Sequence, residues 1–549
     1  MECPVASFFP KFSLTFKAKA INVLVDLYFG QFKKQEMETT DDVIKMNKSY
    51  TVLISLIVAL GGFLLGFDSA VISGAVKGIT VYFEMTEWML GFSVGCVIFG
   101  AMAGNLMAGP LADKFGRKKV LIVVAALFTI SATWSALATG YIEFITARII
   151  GGIGIGGAIL IAPVYIAEIA PPKLRGSLVS FNQLNIVIGI SVAYFSNYFL
   201  VNLEGESWRW MLGVEAIPAL IYFLALFTVP RSPRWLIQKL NKVQLARKIL
   251  QKIGGEEYAE ITISEIQRGI AKKEKKGTLS DLFQNKYTTI MIIAFGIAFF
   301  QQITGINAIF YYAPTIFEQA GGTTDSSFLQ AIVVGLTNLV FTLVAIWLID
   351  KLGRKPLLLI GTTCMTIALV MAAVAFNNAS YSFSGETLGK IDDQEMRMAL
   401  SDLDGRSFEG QAALFKEVES KLTANQFLDF KRNRITNFIR INATLVLVAI
   451  LLYVASFAIS LGPVMWTLIS EIFPSKIKGI AISVVGFFNS LISFSVTQVF
   501  PWELSNLGPT ITFGIYALLS LCAILFVYKY VVETKGKTLE EVEELLIRK

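Results

Sequence analysis

The sequence predicts an all-α polytopic membrane protein with twelve transmembrane helices in two pseudo-symmetric six-helix halves. Of its 549 residues, 54% are hydrophobic and only 16% are charged, whereas soluble chains are about one quarter charged. Apolar runs of about 20 residues, the length that crosses a bilayer, recur along most of the chain. We predict spans at residues 50–74, 86–110, 119–138, 141–167, 177–200, 209–229, 287–316, 327–349, 356–376, 440–469, 478–501 and 508–530.

Basic residues indicate how these spans are oriented. Lysine and arginine cluster in alternate loops, and such clusters mark the cytoplasmic side of a membrane. The clusters are Lys114/Arg117/Lys118/Lys119, Lys173/Arg175, Arg231/Arg234, Lys351/Arg354/Lys355, Lys476/Lys478 and Lys535/Lys537. The pattern predicts cytoplasmic N and C termini and a multi-pass protein of the cell membrane.

Polar segments divide the chain into five parts. We predict a cytoplasmic tail (1–48), a first six-helix half (49–229), a cytoplasmic linker with short helices (230–286), a second half (287–532) and a cytoplasmic tail (533–549). Met46 precedes the first span, so residues 1–45 can also be an extension outside the native protein. Residues 377–439 form an outward-facing insertion in the second half. This insertion is helix-prone, and we expect it to lack an apolar core of its own.

An internal repeat relates the two halves. The segment "LADKFGRKK" (111–119) returns as "LIDKLGRKP" (348–356), and "AEIAPPKLRG" (167–176) returns as "SEIFPSKIKG" (470–479). The segment "PRSPR" (230–234) aligns with "VETKG" (532–536). The number of residues that separates equivalent positions of the two halves increases between Lys355 and Glu471. We therefore predict that residues 377–439 are an insertion in the second half.

Composition also excludes several function classes. The chain has no histidine, so proton chemistry must fall to carboxylates. Cys3, Cys96, Cys364 and Cys522 are scattered without metal or disulfide spacing. No nucleophile–base set, phosphate loop or metal cluster appears, so we expect neither an enzyme nor a cofactor or metal. The net charge of +7 comes from basic residues in short loops and therefore does not indicate nucleic-acid binding.

The motifs together resemble one family. "GPLADKFGRKK", "RIIGGIGIGG", "QQITGINAIFYYAP", "GPVMWTLISEIFP" and "VETKGKTLEE" are similar, in this order, to motifs of the sugar porter family of the major facilitator superfamily. The resemblance runs from about residue 50 to 545 and is closest to bacterial proton-coupled sugar symporters. The sequence departs from the family at three positions and in the long insertion. Arg231 stands where an acid is usual, Lys478 where arginine is usual, and Val532 where proline is usual.

Two acids lie well inside apolar runs and predict proton coupling. Asp68 is in the first span and Glu215 in the sixth, and intramembrane acids are functional candidates because they are costly. The resemblance implies that Asp68 faces Arg148 of the fourth span and that proton coupling goes with Asp68. We expect a proton on Asp68 to release Arg148. A static buried ion pair is the alternative. Glu215 either tunes the Arg148 site or forms a hydrogen bond to a neighbouring helix.

Neutral amides and aromatic rings within the spans predict a sugar pocket, because a sugar presents hydroxyl groups and weakly apolar ring faces. Ordinary hydrogen bonding between helices is the alternative. The resemblance implies a first rank of sugar contacts at Gln183, Gln301, Gln302, Asn307 and Trp466, and we place Tyr311, Asn338, Phe457, Gly462 and Asn489 in a second rank. Gly462 and Pro463 should interrupt their helix.

Charges at repeat-related helix ends predict a cytoplasmic gate. The residues are Asp113, Arg117, Glu168 and Arg175 in the first half, and Asp350, Arg354, Glu471 and Lys478 in the second. We expect them to bridge neighbouring helices in the outward-facing state and to separate when the cytoplasmic side opens. The alternative is that they are only topology signals and helix caps.

The combined prediction is a proton-coupled symporter that imports a monosaccharide, a pentose or a hexose, by alternating access. Its partners are the sugar, protons and membrane lipid, and we expect it to function as a monomer. A facilitative uniporter for a sugar or an inositol-like cyclitol is the second hypothesis. A transporter-like sugar sensor is the third, disfavoured because the chain stops soon after "TLEEVEELLIRK".

Overall fold

Apolar helices dominate the computed structural model, which describes residues 47–271, 278–282, 284–391, 393–409, 411–430, 434–474, 477–537 and 539–547. The predicted tail at residues 1–48 therefore lies outside the described residues except for its last two. Within the described part, twelve segments are long and apolar enough to cross a membrane. Numbered as spans 1 to 12, they are Lys48–Tyr82, Glu87–Phe115, Arg117–Leu137, Tyr141–Ile169, Leu174–Leu200, Ser207–Leu226, Asn285–Gln319, Thr324–Leu352, Arg354–Asn377, Ala443–Ile472, Lys478–Asn506 and Gly508–Tyr530.

The ends of the helix bundle differ in their connections. One end carries the loops at residues 113–119 and 350–355, and we call it the basic end. The other carries the segment between spans 9 and 10, and we call it the insertion end. The helices Pro233–Leu240, Val243–Ala271, Leu279–Leu282 and Leu539–Ile547 belong to the basic end.

Small residues let the spans of the first half pack closely. Span 4 carries the glycine-rich run that begins at Gly151, and its Gly152 meets Gly100 of span 2. A Cβ atom on Gly152 would lie 2.2 Å from the Val97 carbonyl oxygen, and one on Gly100 would lie 2.3 Å from the Ile149 oxygen. Backbone contact of this kind is how membrane helices associate without a hydrophobic driving force. Spans 2 and 4 are accordingly among the most extensively packed pairs.

Three spans are interrupted helices. Span 6 consists of Ser207–Gly213 and Ala216–Leu226, and span 7 of a short 3₁₀ turn followed by Thr288–Ile303 and Ile306–Gln319. Span 10 consists of Ala443–Ile459 and Leu461–Ile472. We predicted the span 10 interruption at Gly462 and Pro463, but it lies at Ser460. Pro463 lacks the N–H that would bond to the carbonyl four residues earlier, at Ile459, so the first helix ends there.

Among the described residues, the most extensive contacts between the two halves are those of span 2 with 11, span 5 with 8, and span 1 with 7. Several polar contacts join the halves toward the insertion end. The Asn202 amide donates to Asp325 at 2.9 Å, and the Gln498 amide donates to the Trp88 carbonyl at 2.8 Å. Lys77 lies 3.8 Å from Glu318. These contacts hold the halves together at this end.

The insertion has a core, and our expectation that it would lack one was wrong. Strands Ser380–Ser382 (β1), Ser407–Glu409 (β2) and Ile439–Arg440 (β3) form an antiparallel sheet in the order β2-β1-β3. Short helices Gly385–Gly389, Gln394–Ala399, Gln411–Glu419 and Ala424–Asp429 surround it. Phe383, Phe430 and Phe438 are buried in a cluster separate from the helix bundle, with the Phe383 and Phe438 ring centres 4.4 Å apart. Because the apolar residues come from elements of two to nine residues, they show no extended periodicity in the sequence.

Candidate functional site

An ion pair is buried in the first half. Arg148 of span 4 donates to both carboxylate oxygens of Asp68 in span 1, with Nη1–Oδ1 at 2.5 Å and Nη2–Oδ2 at 3.3 Å. Asp68 is 4% exposed and Arg148 is 2% exposed. The structure thus brings together the two residues that the sequence pattern paired. Bidentate geometry is the strongest arrangement of this pair.

A second acid completes a buried triad. Glu215 lies between the two helices of span 6 and is 3% exposed. Its carboxyl group contacts Asp68 and lies close to Arg148. With all three groups ionised, the triad carries one excess negative charge in a buried position, and two adjacent carboxylates repel each other. Such a site is suited to holding one proton.

A network of four amides lies in the second half. Gln301 donates to the Leu461 carbonyl at 2.9 Å, and Gln302 donates to the Asn489 side-chain oxygen at 3.2 Å. Asn489 donates in turn to the Gln301 side-chain oxygen at 2.9 Å. Asn307 donates to Gln302 at 2.9 Å and to the hydroxyl of Ser493 at 2.6 Å. The amides bond to one another here, and the hydroxyl groups of a ligand can replace those bonds one for one.

Interrupted helices place this network. Gln301 and Gln302 end one helix of span 7, and Asn307 begins the next after Gly305, whose φ of +93° suits glycine. The hydroxyl of Tyr453 donates to the Thr304 carbonyl at 2.8 Å, which satisfies a group that the interruption leaves free. The Leu461 carbonyl that accepts from Gln301 lies directly after the interruption in span 10.

Most of the remaining predicted pocket residues lie outside this network, whereas the Gly462 carbonyl also accepts from Gln301 at 3.5 Å. Trp466, on the second helix of span 10, is 43% exposed and packs near Gly486 of span 11. Gln183 on span 5 is exposed, whereas Asn338 on span 8 is buried. Tyr311 is buried, and Phe457 is half-buried beside Gly462. The structure therefore groups Gln301, Gln302, Asn307 and Asn489, and leaves the others around them or apart.

The charges at the basic end form one cluster in each half. In the first half, Arg117 contacts Asp113 at 3.1 Å and Glu168 at 3.0 Å. Ser232 donates to the other oxygen of Glu168 at 2.5 Å. Arg175 is exposed and lies near Tyr258 instead.

The second half repeats the arrangement. Arg354 contacts Asp350 at 3.4 Å and Glu471 at 2.8 Å, and Thr534 donates to Glu471 at 2.6 Å. A cleft of about 490 Å³ adjoins this cluster and is also lined by Lys535, Gly536, Lys537 and Val542. Lys478 begins span 11 and is half-buried. Each of these ion pairs joins helices within its own half, at the end opposite the contacts that join the halves.

Glu533 makes a contact in the second half that has no equivalent in the first half. Its carboxylate accepts from the backbone N–H groups of Arg354 at 3.1 Å, Lys355 at 2.9 Å and Lys535 at 2.8 Å. Partial burial would raise the pKa of Glu533, but these backbone donors together hold it below its usual value. Arg231 occupies the equivalent position in the first half and lies close to Lys118. An arginine side chain has only hydrogen-bond donors, so it cannot accept from the backbone N–H groups at the start of span 3.

Comparison with known proteins identifies the family. A family model described as "Sugar (and other) transporter" matches residues 54–387 and 427–546. The chain belongs to the sugar transporter family. This confirms the predicted membership of the sugar porters of the major facilitator superfamily, whose members are transporters and not enzymes. Residues 388–426, which the family model leaves unmatched, fall inside the insertion.

Relatives in the sugar transporter family align over nearly the whole chain. The glucose transport protein of Synechocystis is 37% identical over 508 residues, covering 90% of this chain and 97% of its own length. The D-xylose-proton symporter of Escherichia coli K12 is 34% identical over 537 residues, covering 91% and 96%. The inward open conformation of the E. coli xylose transporter matches the structure with a TM-score of 0.70 at 33% identity, covering 90% of this chain and all of that one. The twelve-helix fold and the multi-pass membrane location are thereby confirmed.

Sequence reasoning missed several polar residues of this sugar transporter. Ser232 and Thr534 bind the two cluster glutamates, and the repeat alignment already placed a hydroxyl at both positions. Ser493 follows Asn489 by one helical turn, which was a detectable signal.

Proposed function

We propose that this sugar transporter is a proton-coupled symporter that imports a monosaccharide by alternating access. The observation that carries the proposal is the buried triad of Asp68, Arg148 and Glu215. A buried ion pair contributes little to the stability of a fold. A second buried acid beside it lowers stability further, because its charge is desolvated and repels the first carboxylate. Proton exchange gives this arrangement a use, and the D-xylose-proton symporter among the relatives supports it.

The triad supplies a physical route to coupling. While Asp68 is ionised, Arg148 holds spans 1 and 4 together. A proton on Asp68 removes its charge, weakens the bidentate contact and frees Arg148 to bind Glu215 or water. Moving one charge inward across the membrane releases about 2.3 kcal/mol per 100 mV, which can drive sugar accumulation.

The amide network is the proposed sugar site. Gln301, Gln302, Asn307 and Asn489 offer donors and acceptors in one place, and Trp466 offers a partly exposed ring that can stack on a sugar face. Gln183, Tyr311, Asn338, Phe457 and Gly462 stay in the proposal as secondary contacts. The chemistry of the site fits both pentoses and hexoses.

The basic end is the proposed cytoplasmic side, following the positive-inside rule. The halves touch toward the insertion end, and the structural match is to an inward open conformation. We therefore take the described state as inward-facing. Because Arg117 and Arg354 are paired here within their own halves, we propose that the gate works by bringing the two intact clusters together rather than by dissociating them.

A vesicle assay tests the proposal. Purified protein in de-energised proteoliposomes would be given D-xylose, D-glucose or inositol, and the external pH would be recorded. A symporter alkalinises the medium when its own sugar is added, whereas L-glucose, the matched control, has no effect. Sugar entry without any pH change would establish the uniporter instead.

A further inference from the structure

One side of span 11 carries a row of hydrogen bonds to span 7. Asn489, Ser493 and Thr497 follow one another at intervals of one helical turn, and each accepts from a side chain of span 7, at 3.2, 2.6 and 3.5 Å. Phe500 and Glu503 come next at intervals of three residues, so they continue the same side of the helix toward the insertion end. Glu503 is therefore an acid in line with the contacts that hold the amide network.

Glu503 binds a tyrosine of the last span. The hydroxyl of Tyr516, on span 12, donates to Oε2 of Glu503 at 2.9 Å, and Tyr516 is 3% exposed. The ring of Phe500 lies nearly parallel to that of Tyr516, with the ring centres 6.3 Å apart and the planes at 15°. Glu503 thus fixes the polar end of a ring whose apolar body is already packed.

The ring of Tyr516 lies against the interruption of span 7. A Cβ atom built on Gly305 would lie 2.6 Å from Cε2 and 2.7 Å from Cδ2 of Tyr516. Because glycine has no side chain, the ring touches the backbone at the point where one helix of span 7 gives way to the next. Gln302 and Asn307 lie on either side of this point, and Asn307 donates to Gln302 at 2.9 Å. The position of the ring therefore limits how the two helices are set relative to each other.

We propose that Glu503 is a positioning residue of the sugar site. It holds Tyr516 against Gly305, and the ring in turn keeps Gln302 and Asn307 at the spacing in which they bind a sugar. The inference rests on the proposed function, in which these amides are the sugar contacts. Affinity rises when binding groups are held in place beforehand, because less conformational freedom is lost on binding. Glu503 acts through the tyrosine and needs no contact with the sugar.

A purely structural role is the other use that this hydrogen bond can have. A buried tyrosine hydroxyl without a partner is unfavourable, so an acceptor at Glu503 can serve the stability of the fold alone. The two roles differ in the quantity that they change. A structural bond changes the unfolding temperature and leaves the sugar affinity of the folded protein unaltered, whereas a positioning bond changes the affinity itself.

The test breaks the hydrogen bond from either side in the full-length reconstituted protein. Glu503→Leu removes the acceptor, Tyr516→Phe removes the donor, and the double variant removes both, whereas Glu503→Gln keeps an oxygen that can accept. Ser520→Ala is the matched control. Ser520 lies one turn after Tyr516 and is fully buried, but its hydroxyl donates to the Thr362 carbonyl of span 9, at 3.2 Å. Equilibrium binding of labelled D-xylose and D-glucose, the maximal rate of counterflow and the unfolding temperature would be measured for each protein.

We expect Glu503→Leu and Tyr516→Phe each to weaken sugar binding by about five-fold or more, with a smaller change in the maximal rate. The double variant should bind no more weakly than the weaker of the two single variants, because both substitutions remove the same bond. Glu503→Gln and Ser520→Ala should keep the affinity of the wild type.

Three results would overturn the inference. The first is wild-type affinity in both single variants together with a lower unfolding temperature, which would make the bond purely structural. The second is a loss in the double variant equal to the product of the two single losses. The third is a loss in Glu503→Gln as large as that in Glu503→Leu. A wild-type protein that binds neither sugar contradicts the proposed function, and the inference falls with it before any variant is compared.

Discussion

Arg148 binds Asp68 through both carboxylate oxygens, and no more than 4% of either residue is exposed. Removing one member of such a pair leaves the other charge buried and uncompensated, which costs about 3–5 kcal/mol. In this protein the cost is moderated, because Glu215 lies beside the pair and can take over Arg148. The triad can therefore exchange its internal contacts without exposing a bare charge.

Asp68→Asn should abolish sugar accumulation driven by a proton gradient while leaving counterflow measurable. The amide keeps the size of the side chain but cannot take up and release a proton. Uptake of labelled sugar into energised vesicles and counterflow into de-energised ones would be compared. Glu143→Gln is the control, since Glu143 is an acid of the same span as Arg148 but bonds to Trp134 and Thr139 instead. Undiminished accumulation in Asp68→Asn would refute the coupling role.

Gln301→Ala should weaken sugar binding at least several-fold. The substitution removes the donor to the Leu461 carbonyl and the acceptor for Asn489, and each lost buried hydrogen bond costs about 1 kcal/mol or more. Tryptophan fluorescence titration or equilibrium binding would measure the change. Gln284→Ala, at an exposed loop position, should leave affinity unaltered. Wild-type affinity in Gln301→Ala would remove the amide network from the proposed pocket.

Trp466→Ala should also weaken sugar binding, through loss of a stacking surface worth about 1 kcal/mol. Because Trp466 is 43% exposed, its removal leaves little cavity, and the thermal stability of the protein should change less than its affinity does. Trp466→Phe should recover part of the affinity. A variant that loses stability but binds sugar normally would show that Trp466 only packs against span 11.

Arg231→Glu should stabilise the first half. It places a carboxylate where Glu533 stands in the second half, facing the free N–H groups at the start of span 3, and it relieves repulsion from Lys118. A helix cap contributes about 0.5–2 kcal/mol. Thermal unfolding of the detergent-solubilised protein would measure the gain. Arg231→Gln, which removes only the positive charge, should gain less, and equal stability of the two variants would contradict a capping role.

Glu533→Gln should reduce stability in a pH-dependent way. The pKa of Glu533 is lower in the folded protein than its ordinary value of 4.5. Its contribution is therefore fully present above pH 4.5 and is lost as the pH falls through the folded pKa. Unfolding temperatures of wild type and variant should differ most near neutral pH and converge in acid. A difference that stayed constant over this range would indicate a role independent of charge.

The sequence was most informative where the chain repeats itself. Arg117 with Glu168 and Arg354 with Glu471 occur at repeat-related positions, and both pairs are in contact in the structure. The match of Asp68 to Arg148 was equally predictable, because few charges lie inside the spans and each needs a partner. What these contacts do during transport stays a prediction.

Long-range packing was not predictable in the same way. Pro463 leaves the Ile459 carbonyl without its helical N–H partner, but the sequence does not say whether the helix breaks there or only bends. The hydrogen bond from the Tyr194 hydroxyl to the Phe310 carbonyl joins the two halves across 116 positions in the chain. No local pattern marks it. The core around Phe383 and Phe438 escaped detection because its members come from very short elements.

The separate core of the insertion has a practical consequence for structure determination. Phe383, Phe430 and Phe438 hold that segment together without help from the spans. An antibody fragment raised against it would bind outside the spans and add an asymmetric mass to a particle that detergent otherwise hides. Electron cryomicroscopy could then align images of this protein in each of its conformations.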